Sequence, residues 1–355
     1  MFTRRKKVVL PKALDGFLPE AVALACRVRI ARKRAGERFP DWATPPDRAR
    51  VRDRVFAALH KVAPKMLTEH MDELPELHRG ALVEEHIASR DLLQRKDGAG
   101  IALDPGHPEL SVLVNEEDHL RIQAYAPALS LGEAWKLADA FDSQLDAELP
   151  FAWSAKLGYL TACPSNLGTA IRASVLLHLP GLGMMGEIEQ VLNGLDRLRI
   201  AVRGMNGEGS DAAGFVYQFS NLESLGVSEE DIVKRVSRIA LAVTEQELSA
   251  RIRLMEQRPA VLMDGLSRAL ALLGNARVMT SNEASTLLSV LRLGVTLGLV
   301  FGLDMQAVER LLGEVQPYHL RLRMNVPDVS DDEADIFRAK LLRGKMRGVT
   351  LGDLR

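Results

Sequence analysis

The hydrophobic period of this 355-residue chain changes once, near Gly226, and no other feature narrows the possible folds as far. Before that point, period-2 runs recur. Leu198, Ile200 and Val202 alternate with Arg199, Ala201 and Arg203, and HLRIQAY (119–125) and FVYQFS (215–220) read the same way. Such alternation marks a strand with one buried face. Helix-like segments lie between them, among them PDRARVRDRVFAALHKVAPKM (46–66) and TAIRASVLLHL (169–179), with Thr169 as N-cap and Pro180 beyond the end. Strands and helices do not alternate regularly, which predicts a mixed or antiparallel sheet with flanking helices rather than a doubly wound parallel one. After Gly226 the pattern is nearly all helix. Ser228-Glu229-Glu230-Asp231 predicts a capped helix to about residue 256, Thr280-Ser281-Asn282-Glu283 and Ser330-Asp331-Asp332-Glu333 have the same form, and Asp304 is a further cap. The expected division is an α+β domain over 1–255 and a helical domain over 256–355.

With 46 basic and 47 acidic residues the net charge is -1. No whole-molecule field therefore favours nucleic acid or an anionic membrane, and any anion site has to be a local cluster of arginine. Two cysteines, Cys26 and Cys163, cannot make a disulfide framework, which predicts a reducing, cytoplasmic setting. The start, MFTRRKKVVLPKALDG, is basic, but Pro11 breaks its apolar run, so no signal peptide is expected. LSVLRLGVTLGLVFGL (288–303) carries Arg292 in mid-run and is short for a bilayer, which predicts a buried helix.

Four stretches carry candidate chemistry. In VLVNEEDHLRIQAY (112–125), a chain extended from Glu117 onward places Glu117, His119 and Arg121 on one face. The bland alternative is a charged hairpin tip, and one imidazole among adjacent carboxylates lacks the HExxH spacing of zinc ligands, so no metal site is expected. In GYLTACPSNLGTAIRASV (158–175), Pro164, Asn166 and Gly168 form a turn expected to feed a helix N-terminus, which favours negative charge. Cys163 just before that turn has a setting that can hold a thiolate, and Arg172 falls in the first helical turn, where a docked anion would explain it. A buried structural cysteine and a surface arginine are the alternative. RIAVRGMNGEGSDAAG (199–214) delivers Arg203 into a run with Gly204, Gly207, Gly209 and Gly214, with Glu208 among them. This is a mobile loop or a close backbone approach to a ligand, and it is not a P-loop, because no GK[ST] ending follows. Finally, CRVRIARKR (26–34) puts Arg27 and Arg29 on one face of an extended segment; a solvated basic face is the alternative, and the neutral overall charge and lack of interleaved aromatics weaken a nucleic-acid patch. One chemistry accounts for all four stretches. Polyphosphate needs several arginines as fixed, bidentate donors, supplied by Arg27, Arg29, Arg121, Arg172 and Arg203. A cationic guanidine needs carboxylates, supplied by Glu117 and Glu208.

NEEDHLR, CPSNLGT followed by IRASV, RGxxGE and the RVR segment resemble the guanidino (phosphagen) kinases. LVEEHIAS (82–89), VNEEDHLRIQ, GYLTACPSNLGT, RASVLLHLP and VRGMNGEGSDAAG are similar, in order, to the bacterial protein-arginine kinase branch. The resemblance implies a phosphagen-kinase-like catalytic domain with a largely antiparallel sheet flanked by helices, plus a C-terminal helical domain. It implies ATP held by Arg27, Arg29, Arg121, Arg172 and Arg203, with His86 near the adenosine and Mg²⁺ carried mainly by nucleotide oxygens and water. Glu117 and Glu208 would clamp the guanidinium, Glu117 accepting the proton, with Cys163 beside it as thiolate. Arginine side chains in proteins would be the acceptors, marked for degradation. A homodimer, an activator protein and a protease-chaperone complex are implied as partners. Two departures stand out. Cys26 occupies a place usually held by a small hydroxyl residue, at the nucleotide edge. The phosphoarginine-reading RDxxRA motif is here Ala334-Asp335-Ile336-Phe337-Arg338-Ala339, which lacks the leading arginine and leaves Asp335 and Arg338 as an i,i+3 pair. Two other readings stand beside this one: a kinase of free arginine or another small guanidine, and a non-catalytic adaptor that binds nucleotide or phosphoarginine protein.

Overall fold

The computed structural model describes residues 19–95, 97–204, 213–326 and 329–353. Its strands are β1 (Ala23–Arg32), β2 (Leu67–His70), β3 (Gly100–Asp104), β4 (His107–Val114), β5 (Leu120–Pro127), β6 (Trp153–Ser154), β7 (Gly158–Tyr159), β8 (Ile171–His178), β9 (Ile200–Gly204) and β10 (Val216–Asn221). Eight of them form one sheet in the order β2-β3-β4-β5-β1-β8-β10-β9, while β6 and β7 pair separately. Every pairing in the large sheet is antiparallel, as the irregular sequence pattern predicts.

The first helices are α1 (Pro45–Val62), α2 (Glu76–Glu84), α3 (Arg90–Gln94), α4 (Leu131–Glu148), α5 (Pro180–Met185), α6 (Ile188–Arg197) and α7 (Glu229–Gln257). Period 2 along the strands gives the sheet two unlike faces. Val28 and Ile30 of β1, Ile122 and Ala124 of β5, Ala173 and Val175 of β8, and Phe219 of β10 point to the apolar face, where α1, α4 and α7 cover them. The other face carries the polar members of the same strands. Residues 46–66 contain the expected helix, opened by a reciprocal capping box between Thr44 and Asp47.

The 169–179 segment corrects the sequence reading. It forms β8, paired with β1 on one side and β10 on the other. Ile171, Ala173, Val175 and Leu177 alternate with Arg172, Ser174 and Leu176, a strand period that the adjoining Leu-Leu-His-Leu run disguises. Thr169 caps nothing; its backbone N–H donates to the Ser224 carbonyl at 3.2 Å. Arg172 is therefore a strand residue, and Cys163 precedes a short 3₁₀ turn (Pro164–Asn166) rather than a helix.

Beyond α7 come α8 (Pro259–Asn275), α9 (Ser281–Thr296), α10 (Met305–Glu314), α11 (Pro317–Met324) and α12 (Asp331–Lys345), around a second apolar core built on Leu262, Leu266, Leu288, Leu291 and Leu342. The caps fall where the sequence places them: Ser228, Thr280, Asp304 and Ser330 accept from the backbone N–H of Asp231, Glu283, Ala307 and Glu333. The 288–303 run is helical to Thr296 only; Val300–Phe301 then pairs with Thr350–Leu351 as a small ribbon. Among the described residues no helix is long and apolar enough to cross a membrane.

A buried polar cluster joins the two cores. Glu247 of α7 accepts from Arg251 Nε (2.6 Å) and from the backbone N–H groups of Gly181 and Leu182 (2.8 and 2.9 Å). Arg251 also donates to the His178 carbonyl and to Thr296 Oγ1 at 3.1 Å. His178 Nδ1 faces Arg292 Nη1 at 3.0 Å, and its Nε2 meets Ser289 Oγ at 2.7 Å. Since Arg292 can only donate, Nδ1 accepts and the proton sits on Nε2.

Candidate active site

Sheet register assembles the basic face. Arg29 of β1 lies directly opposite Arg172 of β8 and Gln123 of β5, Arg27 lies opposite Ser174 and Tyr125, and Arg121 lies opposite Ala31. Arg203 enters from β9 opposite Gln218, on the same face. Four strands distant in sequence thus present Arg27, Arg29, Arg121, Arg172 and Arg203 side by side, because each arginine occupies the outward parity of a strand whose other parity is apolar.

The cluster is electrostatically incomplete. Burial pushes the Arg29 guanidinium well below its ordinary pKa, and the charges of Arg27, Arg121 and Arg172 push it further. Arg172 is lowered for the same reasons, by burial and then by Arg203, Arg27 and Arg121. Arginine stays protonated in proteins, so these shifts express an unmet demand for anionic charge. Among the described residues, Nε of Arg29 and Nε of Arg172 are buried donors without a hydrogen-bond partner, and an unsatisfied buried donor is costly. Some order exists before any ligand arrives. Arg172 Nη2 donates to Ser220 Oγ (3.0 Å), and Arg27 Nη1 donates to the His86 carbonyl (3.2 Å) with its guanidinium 5.7 Å from the Tyr125 ring centre. His86, at φ 61°, thus sits beside Arg27 and meets the basic face through its backbone.

Comparison with known proteins gives this arrangement its family. Residues 50–250 match the family described as "ATP:guanido phosphotransferase, C-terminal catalytic domain", and residues 259–353 match "Protein-arginine kinase McsB C-terminal domain". The protein-arginine kinase of Moorella thermoacetica is 38% identical over 95% of this chain and 97% of its own length; that of Desulforamulus reducens is 39% identical over 96% of each. The chain belongs to the protein-arginine kinase family. Among solved structures, lombricine kinase shares the fold at a TM-score of 0.56 and 24% identity, covering 70% of this chain and 74% of that one. The substrate-free duplicated taurocyamine kinase of Schistosoma mansoni matches at a TM-score of 0.59 and 24% identity over 78% of this chain, which spans 40% of that longer protein.

Of the acids that the family resemblance assigns to the guanidinium, Glu117 stands at the edge of the arginine cluster. Its Oε2 lies 3.2 Å from Arg121 Nη2, and its side chain is 37% exposed. Glu208 lies outside the described residues. Sequence reasoning missed Glu116, whose fully buried carboxylate ion-pairs with Nη1 of the same arginine. Arg121 is therefore held between adjacent glutamates, one buried and one partly exposed. Adjacent carboxylates in a sequence look alike, and burial alone separates them.

Contrary to the reading of a chain extended from Glu117 onward, residues 115–119 form a turn. Asn115 takes φ 56°, its N–H donates to the His119 carbonyl (3.0 Å), and β5 starts at Leu120. The His119 ring consequently turns away from Glu117 and Arg121. Its Nδ1 accepts from the Arg34 N–H (3.0 Å), so Nε2–H donates to the Arg38 carbonyl (2.7 Å). Burial, despite that carbonyl, holds the imidazole down to about 4, a neutral structural pin. Asp118 is buried too. It accepts from the Ala162 N–H at 2.7 Å, fixing the residue before Cys163, and burial pushes it up to about 6.

Cys163 is partly exposed, with Sγ 3.0 Å from Ser165 Oγ, and it lies close enough to Arg172 for the two side chains to interact electrostatically. The other cysteine corrects an expectation. Cys26 sits at the apolar parity of β1, in the core, where burial pushes its thiol up to about 12. There its Sγ meets the Ala126 carbonyl at 3.3 Å, on the side of the sheet away from the arginines. In the helical region Asp335 and Arg338 do form the expected i,i+3 ion pair. Arg338 is buried and also donates to the carbonyls of Val315 (2.7 Å) and Met279 (2.8 Å), which leaves it committed to holding α12 against its neighbours. Among the described residues, no group of three or more His, Cys, Asp or Glu side chains is placed to hold a metal ion.

Proposed function

We propose that this chain transfers the γ-phosphoryl group of ATP to the guanidinium of arginine side chains in proteins. The observation that carries the reading is the convergence of Arg27, Arg29, Arg121, Arg172 and Arg203 on one face, with two of their buried donors unsatisfied among the described residues. Arg29 and Arg172 bind the phosphates at the centre of the face, and Arg27 and Arg203 extend the contact to either side. Glu116 and the triphosphate share Arg121, which fixes Glu117 at the boundary between nucleotide and acceptor. Glu117, with Glu208, grips the planar cation and accepts its proton. The guanidine nitrogen forms the N–P bond as the P–O bond to ADP breaks, in line, and the arginines stabilise the charge on the transferring group. Asp118 positions the Ala162–Cys163 segment so that the thiolate faces Arg172 and the acceptor. Mg²⁺ would neutralise the phosphates while held by nucleotide oxygens and water, and among the described residues no group of carboxylates is placed to cage it.

Residues 1–255 carry this chemistry, and residues 256–355 serve dimer formation and recognition. We place the protein in the cytoplasm, marking substrates for a protease-chaperone complex, with an activator protein as a further partner. The test is mass spectrometry of a protein acceptor and of free arginine, each with ATP and Mg²⁺. Acid-labile phosphate on arginine side chains is expected. Product on the free amino acid alone would favour the small-guanidine reading, and product on neither would favour the adaptor.

A further inference from the structure

The helical C-terminal region reaches the arginine face through one short turn after α2. α2 and α11 pack so closely that a Cβ at Gly80 would lie 2.2 Å from the Tyr318 ring. Two residues before His86, Glu84 closes the N-terminus of α11. Its Oε1 accepts from the Tyr318 N–H (2.7 Å), and its Oε2 accepts from the His319 N–H (2.9 Å) while lying 2.7 Å from His319 Nδ1. His319 Nε2 reaches Glu85 at 3.1 Å. The chain then turns at His86 and docks on the basic face. The His86 carbonyl receives Arg27 Nη1 (3.2 Å) and the Tyr125 hydroxyl (2.5 Å), and the Ile87 carbonyl receives Gln123 Nε2 (2.6 Å). Gln123 is in turn the cross-strand neighbour of Arg29.

We propose that Glu84 is a positioning residue for nucleotide: by capping α11 it fixes the 84–87 turn, whose carbonyls set Arg27 and Gln123 on the arginine face. The helical region thereby controls nucleotide affinity from outside the site. Two features make the link stiff. Glu84 satisfies free N–H groups that the start of a helix otherwise leaves to water, and its charge favours that end of the dipole. Against opposing burial, the hydrogen bonds of Glu84 and Glu85 keep His319 above its ordinary pKa, which adds an ion pair across the same junction. Loss of the carboxylate frees α11 from α2 and relaxes the two carbonyls, so the arginines must be ordered when nucleotide binds, at a cost in affinity.

The inference rests on the arginine face being the nucleotide site, and the experiment separates the two. Direct titration of ATP into the full chain, without acceptor, is compared for wild type, Glu84→Ala, His319→Ala and Arg172→Ala. Glu84→Ala is expected to weaken binding roughly three- to tenfold, in the range of measured inter-site couplings, while kcat at saturating ATP stays within about twofold. His319→Ala keeps both backbone bonds to Glu84 and is expected to weaken binding by less, so it carries the test if Glu84→Ala does not fold. Unchanged affinity in both variants, or a fall in kcat with unchanged affinity, overturns the inference. If Arg172→Ala also binds normally, the nucleotide-site reading itself fails; if only Arg172→Ala binds weakly, the coupling alone fails.

Discussion

Replacing Arg29 with methionine should make the nucleotide-free protein more stable and remove the stability it gains from nucleotide. Arg29 faces Arg172 directly across the β1–β8 pair, and the charges of Arg27, Arg121 and Arg172 all act on it. At an effective dielectric of about 20 and a separation of roughly 6 Å, one such pair repels by about 3 kcal/mol. Glu116 and partial solvent access offset part of this, while the partnerless Nε adds a desolvation cost of about 1–3 kcal/mol. Methionine keeps most of the buried stem without the charge. The net gain expected in the free protein is about 1–3 kcal/mol, at roughly 2–4 °C of Tm for each kcal/mol. Wild type should gain about 2.7 kcal/mol more when ATP is present at a hundredfold excess over Kd, and Arg29→Met should gain almost none. Thermal melts with and without ATP read both effects. A variant that melts lower than wild type without nucleotide, or that keeps the full ATP-induced shift, would refute the argument that this face stores repulsion for an anionic ligand.

Three further outcomes follow from the same contacts. Glu247→Leu strands Arg251 in the interior and should cost about 3–5 kcal/mol in chemical denaturation, whereas Glu247→Leu combined with Arg251→Met should recover most of it; equal losses in both would show that the pair is not coupled. Cys163→Ser should slow turnover while leaving stability within about 1 kcal/mol, because Cys163 is partly exposed and its Sγ meets Ser165 Oγ alone among the described residues; a large fall in Tm would make it a packing residue. His119 resists protonation in the fold until about pH 4 but accepts a proton below about 6.5 when unfolded, so its stabilisation is present above 6.5 and lost as pH falls through that window. Asp118 acts in the opposite sense: its carboxyl, raised to about 6, favours the fold at low pH and loses that contribution as pH rises from about 4 to 6. Melts across pH 4–7 should therefore show a steeper acid loss for Asp118→Asn than for wild type and a shallower one for His119→Gln; parallel curves would contradict both assignments.

Much of the fold was legible because caps and periods are local. Ser228, Thr280, Asp304 and Ser330 announce four helix starts within four residues each, and the alternation in 120–125 and 200–203 needs only its own side chains, whereas Leu198, read with that strand, is exposed in the turn before it. β8 was not legible, since a strand paired on both edges draws its stability from neighbours over a hundred residues away in β1, and its Leu-rich end reads equally well as a helix. The turn at 115–119 was hidden for a related reason. Asn115 holds it by donating to the carbonyls of Arg48 (2.8 Å) and Gly98 (2.7 Å), partners that no local spacing reveals.

The sequence by itself determined that any anion site would be a local cluster of arginine, with Arg27, Arg29, Arg121 and Arg203 on alternating strand positions, while the strand that carries Arg172 came only from the fold. Tertiary structure alone decided which carboxylate of the Glu116–Glu117 pair is open, that His119 and Cys26 are structural, and that the helical region touches the turn beneath Arg27. The physical reason is that parity along a strand is a one-dimensional property, whereas burial and the sharing of a guanidinium between two acids depend on which strands lie next to one another.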